Sequence, residues 1–176
     1  MPVRAVAALL VAALVCGAVP AAVGKQDQNA QALFRDVLLK DPKTADGVQR
    51  LLRTNAGFVS SAPVFADLTG DGKEDAVVTV ENGGAAGAVA AYVLSAEGSS
   101  GGALTVIFRS QSLYQGQVRV SGATLTVVTP IYARGDDVCC TREATERDYV
   151  WDANTKAFKR TAMRTVPVDR RQTSGR

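Results

Sequence analysis

Apolar positions early in the chain recur every three or four residues, whereas later ones alternate with polar positions or form short runs. The early set comprises Ala30, Leu33, Phe34, Val37 and Leu38. This spacing places apolar side chains on one face of a helix, which we predict over residues 27–40. Asp27 is a residue type that caps a helix start, and Asp41-Pro42 ends the helix because the residue before a proline disfavours helical geometry.

A second, shorter helix is predicted over residues 45–54. Its apolar positions are Val48, Leu51 and Leu52. Thr44 precedes it and is a residue type that caps helices. Asn55 and Gly57 follow the last turn and favour the left-handed conformation that closes a helix.

The rest of the chain has the pattern of short strands separated by turns rich in Gly, Asn and Asp. We predict strands over residues 63–67, 75–80, 87–94, 104–109, 117–120, 124–129, 147–152 and 158–162. Connections this short join antiparallel neighbours, because a parallel pair needs a crossover of a dozen or more residues. Two helices followed by a meander of strands predict an α+β fold, with the helices on one face of a mostly antiparallel sheet.

Composition narrows the class of protein. A chain of 176 residues that is 47% hydrophobic and 21% charged is typical of one globular domain. It contains no histidine, which excludes Ser-His-Asp and Cys-His catalysis and any histidine-ligated zinc or haem iron. The net charge of +3 is too small to indicate nucleic-acid binding.

Residues 1–24 have the pattern of a secretory signal peptide. Arg4 precedes an uncharged stretch over residues 5–19, and small residues stand one and three positions before Lys25. We predict cleavage before Lys25 and a protein that is secreted or held in the cell envelope. The alternatives are an uncleaved membrane anchor and lipidation at Cys16, and either would make the N-terminal segment the contact with a membrane.

Cleavage leaves a single α+β domain over residues 25–166 and a tail over residues 167–176. The signal carries one arginine and no acidic residue, so its removal lowers the net charge from +3 to +2. The tail is polar and basic and has no apolar periodicity, which is typical of a disordered, solvated end. Attachment to an anionic surface through the tail is the alternative.

The segment DLTGDGKED, residues 67–75, carries oxygen-bearing side chains at regular intervals; we call it the acidic loop. Its candidate metal ligands are Asp67, Thr69, Asp71, Lys73 through its carbonyl, and Asp75. Calcium takes about 6–8 oxygen ligands, and Gly72 permits the sharp bend that would aim these groups at one centre. Two interpretations stay open: a structural Ca²⁺ site, weak (on the order of 10⁻⁴–10⁻³ M) because Thr69 is uncharged, and a plain polar turn at Asp71-Gly72.

Residues 65–78, FADLTGDGKEDAVV, resemble the FG-GAP repeat of integrin-type β-propellers, in which a calcium loop joins two strands. The resemblance implies that Asp67, Asp71 and Asp75 are side-chain ligands and that Lys73 binds through its backbone. That family usually has Asp or Asn where this chain has Thr69. The motif occurs once, and a propeller needs several blades, so the resemblance implies a single repeat-like loop.

After the signal, the only cysteines are the adjacent Cys139 and Cys140. Neighbouring Cα atoms lie ~3.8 Å apart, closer than the ~4.4–6.8 Å usual in disulfides, so a bridge between them would be strained and easily reduced. We favour this vicinal disulfide because exported proteins meet an oxidising environment. Two free thiols, or bridges to a partner protein, are the alternatives.

The block PIYARGDDVCCT, residues 130–141, followed by Tyr149-Val-Trp151, is similar to short exported bacterial proteins, some of them lipoproteins. Those proteins pair a DLTGDG segment with a late Cys-Cys. The similarity covers most of the chain after the signal. It implies a place in the bacterial envelope or outside the cell, and it implies no activity.

Three functions are compatible with these features. We predict a non-catalytic exported module that binds an unknown protein or envelope partner, and we assign no catalytic residue. A hydrolase is one alternative, with Asp136, Asp137 and Glu143 as candidate carboxylates, because glycoside hydrolysis needs only two carboxyl groups. The other alternative is a thiol-redox protein that uses Cys139 and Cys140.

Overall fold

The computed structural model describes residues 23–96, 103–136 and 141–168 of the chain. Helix α1 spans Val23–Lys40 and α2 spans Asp46–Arg53; the strands are β1 Phe58–Val59, β2 Val64–Ala66, β3 Asp75–Glu81, β4 Ala88–Ser95, β5 Thr105–Gln111, β6 Gln117–Ser121, β7 Thr124–Ile131, β8 Glu143–Asp152 and β9 Ala157–Pro167. The predicted α+β fold, with its helices first, is confirmed. Neither helix of this described part has the length and apolarity needed to cross a bilayer.

The strands form two antiparallel sheets. Sheet A has the order β1-β3-β4-β5, and β2 also pairs with β3; sheet B has the order β6-β7-β8-β9. All pairings among these strands are antiparallel, as the short connections predict. The chain passes from sheet A to sheet B through the short β5–β6 connection, so the meander folds over instead of extending in one layer.

The helices cover one face of sheet A and bury an apolar cluster there. It consists of Phe34 and Leu38 from α1, Val48 and Leu52 from α2, and Val59, Ala76, Val78, Val80, Ala90, Tyr92 and Leu94 from the sheet. Full burial of a large apolar side chain stabilises a fold by roughly 1.5–3 kcal/mol, so this cluster fixes both helices on the sheet.

The other face of sheet A packs on sheet B. Val77 and Val93 from sheet A meet Leu125 and Val127 from sheet B, and all four are fully buried. β3 therefore buries side chains on both faces, which explains why residues 76–80 are apolar at every position except Thr79. The resulting architecture has three layers in the order helices, sheet A, sheet B.

The ends of the helices differ from prediction because distant residues bind them. α1 begins at Val23, so Asp27 lies inside the helix and is not its cap. The cap of α2 is Ala45, which makes no side-chain capping bond, and its amide donates instead to Oε1 of Gln111 at 2.6 Å. The prediction that Thr44 caps α2 is therefore wrong; its hydroxyl bonds to Asp41.

Sheet B is longer than its sequence pattern indicates. β8 and β9 pair without interruption from Glu143↔Pro167 to Asp152↔Ala157, apart from one irregularity. Pro167, predicted to open the tail, is thus the last residue of β9, where a missing N–H is tolerated because β9 is an outer strand. Residues 1–22 of the predicted signal, residues 169–176 of the tail, and Cys139 and Cys140 lie outside the described residues.

Candidate functional site

The acidic loop connects β2 to β3 at one end of sheet A. The pair Ala66↔Asp75 closes the antiparallel ladder, so the chain leaves and re-enters the sheet at neighbouring positions. Leu68 is 1% exposed and belongs to the core between the two sheets, where it anchors the loop. The fold consequently holds the loop at both ends and at Leu68, next to its first residue.

Asp75 is buried and organises the first half of the loop. Its side chain is 1% exposed, and its Oδ2 accepts hydrogen bonds from the amides of Leu68 at 3.0 Å and Thr69 at 3.1 Å. A buried carboxylate is tolerated only when its charge is hydrogen-bonded, and these two amides provide that stabilisation.

Asp67 organises the second half of the loop. Its Oδ1 accepts the amide of Gly70 at 2.7 Å, and its Oδ2 accepts the amide of Gly72 at 3.0 Å. Both glycines are in the left-handed region, with φ of +77° and +83°, a conformation that side chains with a Cβ resist. Asp71 makes a local bond from its Oδ1 to the amide of Lys73 at 2.9 Å. The three carboxylates thus fold the loop by accepting its own amides.

The loop has one polar atom whose hydrogen bonding is incomplete. Oγ1 of Thr69 is buried and is the only such side-chain atom found without a partner across the described ranges. The hydroxyl oxygen of Thr69 therefore keeps lone pairs that a water molecule or a cation could use. Thr69 stands at the third position of the predicted calcium loop, so the donor chemistry fits an oxygen-coordinated cation.

The predicted ligands share one loop, but their carboxylates are not gathered into a cage. Among residues 23–96, 103–136 and 141–168, no three His, Cys, Asp or Glu side chains lie in a group that could hold a metal ion. Calcium binding at this loop would require Asp67 or Asp71 to turn its oxygens toward a common centre. The sequence thus predicted the position of the loop and its bends. It did not predict that the carboxylates accept amides of the loop, because these contacts depend on the fold.

The other predicted carboxylates lie apart from the acidic loop. Asp136 closes a turn, accepting the amide of Ala133 at 2.9 Å. Glu143 is exposed at the start of β8, opposite Ile131. Asp137 lies outside the described residues, as do both candidate thiols.

Sequence analysis missed a line of ion pairs across the outer face of sheet B. Glu146 is 7% exposed and pairs with Arg119 and with Arg164, the latter at 2.6 Å. Arg164 also pairs with Asp148, and its hydrogen bond is the main reason that the pKa of Asp148 is lowered. Nearby, a hydrogen bond from Lys159 lowers the pKa of Asp152 to about 2. The acidic residues Glu146, Asp148 and Asp152 at even positions of β8 were the available signal, but their basic partners come from other strands.

A shallow cavity of about 250 Å³ lies between α1 and the edge of sheet A. Its lining includes Ala30 and Phe34 from α1 and Pro63 and Phe65 from the β2 side. Phe65 is 51% exposed, so half of its side chain faces solvent. This apolar recess contains no titratable side chain in its lining and offers no acid–base chemistry.

Comparison of the chain with protein-family models, curated proteins and solved structures gives no match. The FG-GAP resemblance and the similarity to exported bacterial proteins therefore stay predictions from the sequence.

Proposed function

We propose that the protein is an exported, non-catalytic module that binds a partner or a surface of the cell envelope. The observation that supports this most directly is the role of its carboxylates. Asp67 and Asp75 accept backbone amides, and Asp148 pairs with an arginine. A general acid that works near neutral pH needs a raised pKa, whereas the resolved carboxylate shifts in the described residues are all downward. The lowered pKa values of Asp41, Asp148 and Asp152 suit ionised partners of arginine and lysine. Asp67 and Asp75 serve as acceptors for backbone amides.

Export is tested by identifying the N-terminal residue of the protein that is found outside the cytoplasm. We expect the exported chain to begin at Lys25, because the small residues before it suit signal cleavage. Mass spectrometry of the exported and cell-associated fractions measures this directly. An intact N-terminus confined to the cytoplasm would contradict export, and a hydrolytic activity abolished by Glu143→Gln or Asp136→Asn would contradict the non-catalytic assignment.

Calcium binding at the acidic loop is part of the proposal, supported by the unpartnered hydroxyl of Thr69. At 10 mM Ca²⁺, about tenfold above a Kd on the order of 10⁻³ M, binding adds about 1.4 kcal/mol to the free energy of unfolding. We therefore expect the melting temperature to be about 4 °C higher in Ca²⁺ than in EDTA. Thermal melting followed by circular dichroism provides the measurement.

The control variant for this melt is Asp71→Ala. Asp71 is exposed and makes a single bond within the loop, so the variant should melt near the wild-type temperature in EDTA. It should lose the rise with Ca²⁺, and Mg²⁺ should not replace Ca²⁺, because Mg²⁺ demands a stricter octahedral cage. Equal melting temperatures of the wild type in Ca²⁺ and EDTA would reduce the loop to a polar turn.

A further inference from the structure

The outer edge of sheet A that β1 and β2 form lacks the charges that the other sheet edges carry. Strands β5, β6 and β9 also lie at sheet edges, and they carry Arg109, Arg119 and Arg164, respectively. Charged side chains on an edge strand oppose pairing with another chain. Residues 54–66, TNAGFVSSAPVFA, include β1 and β2 and contain no charged residue. This edge is therefore open to a further strand.

The backbone of β2 is free along this edge, whereas that of β1 is covered. The carbonyl of Val59 in β1 accepts Nε2 of Gln31 from α1 at 2.9 Å. In the part of the chain that the structure describes, only β3 bonds to the backbone of Val64, Phe65 and Ala66. A strand that pairs on one side directs its remaining N–H and C=O groups away from its neighbour. β2 thus offers unpaired donors and acceptors to an extended chain.

Apolar side chains flank β2 on both faces of sheet A. Val64 lies opposite Val77, on the face toward sheet B, and is 40% exposed. Phe65 lies opposite Ala76, on the face toward the helices, and is half exposed. An open strand edge with apolar side chains on both faces suits contact with another protein strand.

The cavity of about 250 Å³ beside α1 lies next to this edge. Phe34 from α1 and Pro63 and Phe65 from the edge contribute to its lining, which contains no charged residue. Arg35, the neighbour of Phe34, points away and donates to the carbonyl of Leu52 on α2. A cavity of about 150 Å³ accommodates benzene, so this one has room for the ring of a phenylalanine.

The absence of charge on β2 favours a second copy of the same chain as the occupant. Antiparallel pairing of two identical strands brings identical side chains together at the two-fold axis, and like charges that meet there repel. β9 carries Lys159, Arg160 and Arg164 and no acidic residue, so it is unsuited to pairing with itself. β2 has no charge to repel and closes into a dimer without a further component.

A two-fold axis at Val64 gives a complementary register. Val64 then faces the same residue of the second copy, and Phe65 faces Pro63 of the second copy on the helix side of the sheet, where both residues line the cavity. Each Asp67 lies three positions from the axis, so about 20 Å separates the two residues. That separation exceeds the Debye length of about 8 Å at physiological ionic strength, and repulsion between them is screened.

We propose that the protein forms a symmetric dimer in which β2 of one copy pairs antiparallel with β2 of a second copy. The pairing joins the two A sheets and places Phe65 of each copy at the cavity of the other. β2 has only three residues, and a stable interface buries roughly 1,200–2,000 Å², so we expect a reversible dimer with a Kd on the order of 10⁻⁵ M. The inference goes beyond the proposed function and depends on neither export nor calcium.

Sedimentation equilibrium measures the dimer directly, with the chain purified in the form that cells accumulate. A Kd of this order requires the weight-average mass of the wild type to rise toward twice the monomer mass between about 1 and about 500 μM. A wild type that stays monomeric over this range would overturn the proposal and leave the edge to a strand of a different protein.

Charge variants of Val64 test the two-fold axis. Val64→Lys and Val64→Glu each bring like charges together at the axis and should raise the Kd at least about tenfold. An equimolar mixture of the two variants should associate at least about fivefold more tightly than either variant alone, because lysine then faces glutamate. A mixture that associates no better than the separate variants would overturn this register.

Two further variants test the location. Phe65→Ala should weaken the dimer at least about tenfold, because no ring then fills the cavity of the second copy. Met163→Lys is the matched control, since Met163 is exposed on β9, the edge strand of sheet B, and this variant should keep the wild-type Kd. Thermal melting verifies that each variant is folded. A dimer that persists in Phe65→Ala, or that is lost in Met163→Lys, would overturn the location and leave the export and calcium proposals intact.

Discussion

Replacing Asp41 with alanine is expected to lower the free energy of unfolding by about 3 kcal/mol. Asp41 follows α1 and accepts two hydrogen bonds from Arg109 on β5, from Nε at 2.7 Å and Nη2 at 2.8 Å. The two side chains are only 11% and 22% exposed, so the variant leaves a guanidinium largely shielded from water and without its partner. Breaking a buried pair costs about 3–5 kcal/mol, and the partial exposure places this one at the lower end. Urea denaturation measures the loss.

The expected loss of stability is large because the Asp41–Arg109 pair belongs to a hydrogen-bond network between the helices and sheet A. Asp41 also accepts the hydroxyl of Thr44 at 3.2 Å, and next to it Gln111 receives both the amide of Ala45 and the hydroxyl of Tyr92. These bonds attach the junction between the two helices to β4 and β5. Burial raises the pKa of Tyr92 to about 12, so its hydroxyl stays a donor throughout the neutral range.

The control is a double-mutant cycle with Arg109→Met. Methionine keeps the aliphatic packing of the arginine stem and removes its charge, so this variant should lose about 2 kcal/mol, mainly because the Asp41 carboxylate is left unpaired. The double variant should be more stable than the sum of the two losses predicts, by about 1–2 kcal/mol. Losses that simply add would show that the two side chains stabilise the fold independently.

The same pair has a defined pH dependence. Burial raises the pKa of Asp41, but the hydrogen bonds and the charge of Arg109 outweigh it, so the net pKa falls below its ordinary value of 3.8. Because the folded pKa is lower than the unfolded one, the stabilisation is complete well above pH 3.8 and is lost as the pH falls through the folded value. The stability difference between wild type and Asp41→Ala should therefore shrink between pH 6 and pH 3.

Local periodicity was sufficient to predict most elements but not what fixes their ends. Val48 and Leu52 indicated α2 correctly, since their spacing is a property of the segment itself. The residue that satisfies the start of α2 is Gln111, 66 positions from Ala45, and no local pattern contains it. β9 was predicted too short for the same reason: its polar outer half extends because β8 pairs with it.

The candidate sites were likewise predictable only where a local pattern indicated them. Asp67, Gly72 and Asp75 marked a sharp turn with acidic side chains, and the turn is there. The hydrogen bonds from amides to these carboxylates depend on the register between β2 and β3, which no local sequence pattern indicates. The left-handed geometry of Ser112 and Gln115, between β5 and β6, was not predictable either, because serine and glutamine rarely adopt positive φ.

Replacing Asp75 with alanine should destabilise the protein by about 3 kcal/mol, whereas Asp75→Asn should cost about 1 kcal/mol. The alanine variant leaves the amides of Leu68 and Thr69 buried without an acceptor, at about 1–3 kcal/mol each. Both amides bond to the same carboxylate oxygen, so the single carbonyl oxygen of asparagine can replace it and only the charge is lost. Urea denaturation in EDTA separates the two variants.

Calcium then distinguishes the two roles open to this carboxylate. If Asp75 serves only as an amide acceptor, Asp75→Ala lowers the free energy of unfolding by the same amount in EDTA and in 10 mM Ca²⁺. This comparison first subtracts the stabilisation by Ca²⁺ binding at the loop, which Asp71→Ala measures. If Asp75 is also a ligand, Asp75→Asn should keep its small cost in EDTA and lose the calcium-dependent stabilisation, because a neutral amide is a much weaker ligand for Ca²⁺. An equal loss in the asparagine and alanine variants in EDTA would contradict the amide-acceptor role, since the oxygen common to Asp and Asn would then contribute nothing.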